Sequence, residues 1–352
     1  MKILVDYHHH DLYESLCLLF EDRFGWELYR PIGMDWFAQE YWNLERRWHG
    51  DGVAKQYLEP WGDDAAHDSY SERLDKSHDR WQKLLTIEQA RDLRPDLVIS
   101  SVAHNHEGFA RFAKEVGAKF ALHLGNVRFS EIDMREDRWD LADFGLVTSI
   151  MPRPVDKPHV VYHQEFSLTD FRHEPPEYHE PFRISSFVQC FAENTRTYAD
   201  FTRIATDHPE FDWRVYGAYG SCPTDQWAAG NLSKCADVGA AMRASDVAWH
   251  AKQWSDGFGH VIHNWFAVGR PVFGFASYYA DQLAGPLWVD GVTSYDLTNR
   301  SQDEVALLLA QLYADPDKHL RMSEAAAARF REVVNFDEDA AKVRALIEAH
   351  VG

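Results

Sequence analysis

The sequence is short of cysteine, of positive charge and of long apolar runs. Four cysteines (Cys17, Cys190, Cys222 and Cys235) are scattered through 352 residues with no Cys-x-x-Cys pair. That spacing excludes a zinc ribbon or a disulfide scaffold and points to a reducing cytoplasm. Lys and Arg total 36 against 56 Asp and Glu, a formal charge of −20, which disfavours a protein that coats polyanions and leaves room only for a focused basic groove. No apolar run approaches the roughly 18 residues that span a bilayer. Residues 2–5 run straight into Asp6 and three histidines, unlike the apolar core of a signal peptide. No integral membrane association is expected. The 45% apolar and 26% charged residues exclude a wholly disordered chain, and the length predicts two domains. Aromatics are abundant: 13 Trp, 15 Tyr and 21 Phe, many of them flanked by polar residues.

Strand and helix patterns alternate along the chain. The run 2–5 reads as a strand, and Asp11 can cap a helix carrying Leu12, Leu16, Leu19 and Phe20 on one face. Gly25 ends it, and 26–30 reads as a second strand stopped by Pro31. Such a βαβ start predicts a parallel sheet covered by helices. Residues 33–80, rich in Trp, Asp, Arg and His, read as an insertion. Strands at 96–102, 119–124, 144–150 and 160–162 and a helix at 108–116 resume the alternation. A linker is expected at 173–181, which holds three prolines in nine residues. Beyond it come strands at 182–190, 213–216, 245–250 and 271–275, and helices at 198–207, 238–244, from 260, and near 303–314, 317–334 and 337–350. The expected fold class is α/β, with two Rossmann-like domains facing each other across a cleft. The first spans 1–172 and the second 182–352, the last helix being a candidate to cross back to the first.

The most informative segment for chemistry is 255–272. It reads as a loop, a helix N-terminus, one helix, and a turn into a buried strand. Gly257 and Gly259 let the backbone pass close to a ligand, and the N–H groups of a first helical turn form an anion site suited to a diphosphate. A plain tight turn is the bland alternative, equally supported by the residues alone. Cations for a phosphate come from Arg196, with Asn194 and Thr195 as hydrogen-bond donors beside it, and from Lys252. Each has a solvated surface role as its alternative. Histidines mark strand ends in the first domain, where ligands of open α/β sheets bind: His8, His9 and His10, then His104, and His123 before Gly125. A histidine there can act as a base or orient a hydroxyl. Three in a row suggest metal only weakly, because neighbouring side chains on a strand point apart, and no metal site is expected. The insertion carries Trp36, Trp42 and five further aromatics within 28 residues. They read as a stacking platform for sugar rings or nucleobases, or as a small subdomain packing its own rings. Arg128 follows His123 closely enough to add charge to an acceptor site.

The segment resembles the donor-binding signature of nucleotide-sugar glycosyltransferases of the GT-B fold, especially those similar to family 4. The match consists of Asp256-Gly257-Phe258-Gly259, Asn264 at the second acid position, and Ala267-Val268-Gly269-Arg270-Pro271-Val272. Tyr162–Phe171 resembles the exit from the N-terminal domain, and Val238–Val247 the helix and strand before the signature. The resemblance implies that Asp256, one methylene shorter than the usual Glu, reaches donor-sugar hydroxyls, and that Asn264 pairs with the ribose without a charge. It implies that Phe258 and His260 line the donor site, and that His123 contacts the donor sugar. His123, Asp256 and Lys252 are then the catalytic candidates. The implied activity is transfer of a sugar, retaining anomeric configuration, from a UDP- or GDP-linked donor to an acceptor hydroxyl, with the nucleotide sugar as co-substrate and no other cofactor. A saccharide stands slightly ahead of a hydroxymethylated base in DNA as the acceptor. A sugar-nucleotide epimerase of the same fold, or a non-catalytic nucleotide-sugar-binding relative, is the competing reading.

Overall fold

The computed structural model describes residues 1–6, 10–31, 83–101, 106–125, 136–149, 156–187, 195–217, 226–232, 234–252 and 257–352. The aromatic insertion at 33–80 therefore lies outside the described residues. The chain divides into two compact units, Met1–Phe166 with Phe336–Gly352, and Ser167–Asn335.

The first unit is built on seven parallel strands: β1 Lys2–Asp6, β2 Glu27–Pro31, β3 Lys83–Leu85, β4 Leu97–Ser101, β5 Lys119–Leu124, β6 Phe144–Val147 and β7 His159–Val161. Their order is β3-β2-β1-β4-β5-β6-β7. Ile3, Leu4 and Val5 are all fully buried because both faces of the sheet are covered, as unbroken apolar runs in a parallel sheet require. Alternate residues enter opposite cores. Ile3, Val5 and Ile99 pack with Leu12, Leu16 and Phe20 and with Val343 and Ile347 of the last helix, Phe336–Val351. Leu4, Val98 and Leu122 pack with Phe109 and Phe112 of the helix His106–Val116. The single helix expected after Asp11 is an α-helix only over His10–Cys17 and continues as a π-helix over Leu18–Arg23. Gly25 then turns the chain with φ +69°. Arg23 pairs with Glu165 on both carboxylate oxygens and also with Asp337, while Asp339 accepts from the backbone and ring of His163. These bonds tie the last helix to the end of the first segment.

The second unit carries six parallel strands: β8 Arg183–Phe187, β9 Asp212–Tyr216, β10 Ala228–Gly230, β11 Val247–His250, β12 Val272–Gly274 and β13 Ser294–Asp296. Their order is β10-β9-β8-β11-β12-β13. The stretch 173–181 packs against the second unit. His173 bonds the Val268 carbonyl, Tyr178 donates to the Tyr313 carbonyl and stacks on that ring, and His179 donates to the buried Asp246 carboxylate. Three prolines keep the segment out of helix and central strand, yet its side chains anchor it on the second unit. The division between units falls at Phe166/Ser167, earlier than the boundary expected at residue 172. The strands β3, β10 and β13, three residues each, have no counterpart in the expected pattern.

Arg270 is a structural keystone of this unit. It is 1% exposed, and its guanidinium donates to the carbonyls of Glu174, Arg243, Ser245, Val268 and Gly269. Burial pushes its pKa down to about 10, so it stays charged at neutral pH. Among the described residues, no helix is long and apolar enough to cross a membrane.

Candidate functional site

In each sheet the strand order reverses once, and at such a switch point the loops leaving two neighbouring strands open a crevice beyond their carboxyl ends. In the second unit the reversal lies between β8 and β11, which pair directly. The chain leaving β8 leads to Asn194, Thr195 and Arg196, and the chain leaving β11 leads to Lys252, Asp256 and the glycine-flanked segment. The helix that opens at Thr195 and the described segment Gly257–His260 thus follow two neighbouring strands of the sheet. Thr195 opens the helix Thr195–Asp207 and Arg196 follows it, but their side chains, with Asn194 and Asp256, lie outside the described residues. Lys252 is partly buried two residues beyond β11.

Gly257, Phe258 and Gly259 are buried, and His260 opens the helix His260–Val268. Gly259 is its N-cap in the left-handed region, φ +79°, where only glycine is unstrained. No cap side chain closes this N-terminus and no acidic residue occupies the first turn. Both features suit a helix start that receives an anion, since a capping carboxylate would compete for the same N–H groups. One turn further in, Asn264 is 8% exposed and its Oδ1 has no hydrogen-bond partner among the described residues. A buried, unsatisfied acceptor is rare because it forgoes its hydration without replacement. The Phe258 ring stacks face to face on His263, with centroids 4.1 Å apart. The His263 Nδ1–H donates to the Gly259 carbonyl at 2.9 Å. His250 at the end of β11 bonds the Tyr279 hydroxyl at 2.9 Å.

In the first unit the reversal lies between β1 and β4, whose ends pair Asp6 with Ser100. The segments that follow hold His8 and His9 on one side and His104 on the other. Those three residues, with Trp36, Trp42 and Arg128, lie outside the described residues, as does the side chain of His10. His123 is described. It lies on β5, fully buried, with Nε2 2.8 Å from the Tyr162 hydroxyl. Burial pushes its pKa down to about 3, so it is a neutral hydrogen-bonding group at physiological pH and a poor proton acceptor. The next turn is pinned by Gln164, whose amide donates to the Gly125 carbonyl at 3.2 Å and to Thr148 Oγ1 at 2.5 Å. A Cβ on Gly125 would stand 2.5 Å from His123 Cε1 and 2.9 Å from Gln164 Nε2, so only glycine fits. Among the described residues no group of three or more His, Cys, Asp or Glu is arranged to hold a metal.

Sequence reasoning gave no role to His263, Tyr162, Gln164 or Tyr279. For His263 a signal existed, because an imidazole four residues after a glycine N-cap faces that glycine's carbonyl across one helical turn. The other three meet their partners only through strand pairing and loop packing.

No family model matches the sequence, and no curated protein is significantly similar to it. Solved structures are similar over the whole chain. HepE of Anabaena, in complex with UDP and glucose, has a TM-score of 0.67 at 13% identity, covering 99% of both chains. An alpha-glucosyltransferase in complex with UDP-glucose and DNA containing an abasic site has a TM-score of 0.62 at 10% identity, again over 99% of both. Sucrose-phosphate synthase from Thermosynechococcus elongatus has a TM-score of 0.61 at 12% identity, covering 99% of this chain and 98% of its own. With two parallel sheets, each reversing its strand order once, and with full-length similarity to these three structures, the chain has the GT-B fold.

Proposed function

We propose that this protein is a glycosyltransferase that moves a sugar from a UDP-linked donor to an acceptor hydroxyl. The observation that carries this reading is the uncapped helix start at Gly257–His260, with an Asn264 carbonyl one turn in that has no partner among the described residues, following the strand at the switch point of the second sheet. The helix N-terminus receives the diphosphate, and Asn264 Oδ1 accepts a ribose hydroxyl. Among similar structures, HepE holds UDP and the alpha-glucosyltransferase holds UDP-glucose, which supports UDP as the carrier.

In the reaction the bond between the anomeric carbon and the diphosphate oxygen breaks, while the acceptor oxygen bonds that carbon and gives up its proton to the leaving phosphate. Negative charge grows on the leaving phosphate. The first-turn N–H groups, Lys252 and Arg196 meet it there, so this centre works without a metal. Asp256 holds donor-sugar hydroxyls. His123, neutral and held by Tyr162, orients a hydroxyl and does not act as a base. The first unit supplies acceptor contacts through His8, His9, His10, His104, Trp36, Trp42 and Arg128. The acceptor class is a saccharide. DNA is the second reading, favoured by the similar structure that contains it.

The test is incubation with UDP- and GDP-sugars, scoring nucleotide release with and without saccharide and hydroxymethylated-DNA acceptors. Acceptor-dependent release of UDP is expected. Interconversion of the sugar without release would establish an epimerase instead, and binding without turnover a non-catalytic relative. Acceptor binding that collapses between 50 and 200 mM salt, as several phosphate contacts require at roughly this range, would move the acceptor to DNA.

A further inference from the structure

We infer that His263 is a positioning residue that aims the mouth of the donor site. This deepens the proposed function and rests on it.

Phe258 stands between two glycines, so the backbone on either side has unusual freedom and its own residues do little to hold one path. What fixes the path lies one turn into the helix. The His263 ring lies nearly parallel to Phe258, 8° from coplanar, and seats that side chain, which is 1% exposed. The edge of His260 closes on the same ring at 4.9 Å. The Gly259 carbonyl receives two bonds from one residue, the His263 backbone N–H at 3.0 Å and the His263 Nδ1–H at 2.9 Å. In a planar trans peptide the C=O and the following N–H point in opposite directions. Holding the Gly259 carbonyl down the helix therefore holds the His260 N–H outward at the helix start, where the diphosphate is placed. A carbonyl oxygen only accepts, so Nδ1 carries the proton of the neutral ring. One imidazole thereby fixes the Phe258 side chain, the Gly259 peptide plane and its own tautomer.

The test is calorimetric titration of UDP into the full chain and three variants, with thermal unfolding of each. Wild type should bind. His263→Phe keeps an aromatic seat but loses the second bond, and should bind UDP about five- to tenfold more weakly, the typical effect of one hydrogen bond. His263→Asn, whose amide nitrogen overlays Nδ1, should recover part of that loss, and His263→Ala should recover none. A purely structural role would lower the melting temperature in all three and leave UDP affinity alone, which would overturn the inference while the donor-site reading stood. Wild type that binds no nucleotide would overturn both. Nitrogen-15 NMR of the wild type needs no variant: an Nε2–H tautomer at His263 would also overturn the inference.

Discussion

Replacing Asn264 by leucine should make the protein more stable and a worse binder of nucleotide. Asn264 sits in the middle of a buried helix with Oδ1 unpartnered among the described residues. A buried acceptor without a partner costs about 1–3 kcal/mol of desolvation, and leucine, which keeps the branching at Cγ but is the larger side chain, does not incur it. Leucine is also the better helix former by a few tenths of a kcal/mol. Set against the crowding from leucine's greater volume, the net gain is about 1 kcal/mol, or roughly 2 °C in melting temperature for a chain of this size. In the complex the balance reverses. A neutral hydrogen bond to a ribose hydroxyl contributes about 0.5–1.5 kcal/mol, so Asn264→Leu should weaken UDP binding about two- to tenfold. Asn264→Asp should do the opposite on both counts: a buried carboxylate destabilises the free protein, and a charge-assisted bond tightens the complex. Differential scanning calorimetry and isothermal titration measure the two quantities on one sample. A leucine variant that melts lower and binds UDP as well as wild type would refute both the orphan acceptor and the ribose contact.

Arg270→Met removes donors from five carbonyls at once and should destabilise the protein by about 3–5 kcal/mol, seen as a large drop in melting temperature or loss of soluble protein. Gly125→Ala forces a methyl against His123 and Gln164 and should cost about 1–3 kcal/mol, together with transferase activity. His123 titrates near 3 when folded against about 6.5 when unfolded, so the unfolded chain binds the extra proton between those values. Stability should therefore fall as pH drops from 6.5 towards 3, by up to about 1.4 kcal/mol per unit, and level off below. In His123→Gln that slope should be shallower in urea unfolding at stepped pH, and an unchanged slope would mean that His123 is not buried neutral.

Much of the architecture follows from local pattern. The helix Gln302–Ala314 begins where Ser301 and Glu304 form a capping box, and Gly269, with φ +69°, ends the helix that carries Asn264. The apolar runs 3–5 and 119–124 are strands because a parallel sheet covered on both faces leaves no polar alternation. The helix start after Gly257 and Gly259 was legible as well, because glycines commonly punctuate the chain before a helix. What the pattern missed are features with no local signature. β3, β10 and β13 are too short for a period and exist because a neighbouring strand offers hydrogen bonds. Arg270 carries no sign of burial in its Gly-Arg-Pro sequence, and only the fold brings five carbonyls around it.

The same division runs through the site. Sequence alone determined which residues can carry the chemistry: a glycine-flanked helix start, an asparagine one turn in, and a histidine at a strand end. Tertiary structure decided their state. Full burial makes His123 a neutral group held by Tyr162, packing leaves Asn264 Oδ1 without a partner among the described residues, and the stack of His263 on Phe258 arises only once the helix has formed. Residue type sets what a side chain can donate, accept or ionise, whereas burial and partners set the free energy of doing so, and those depend on segments far apart in the chain.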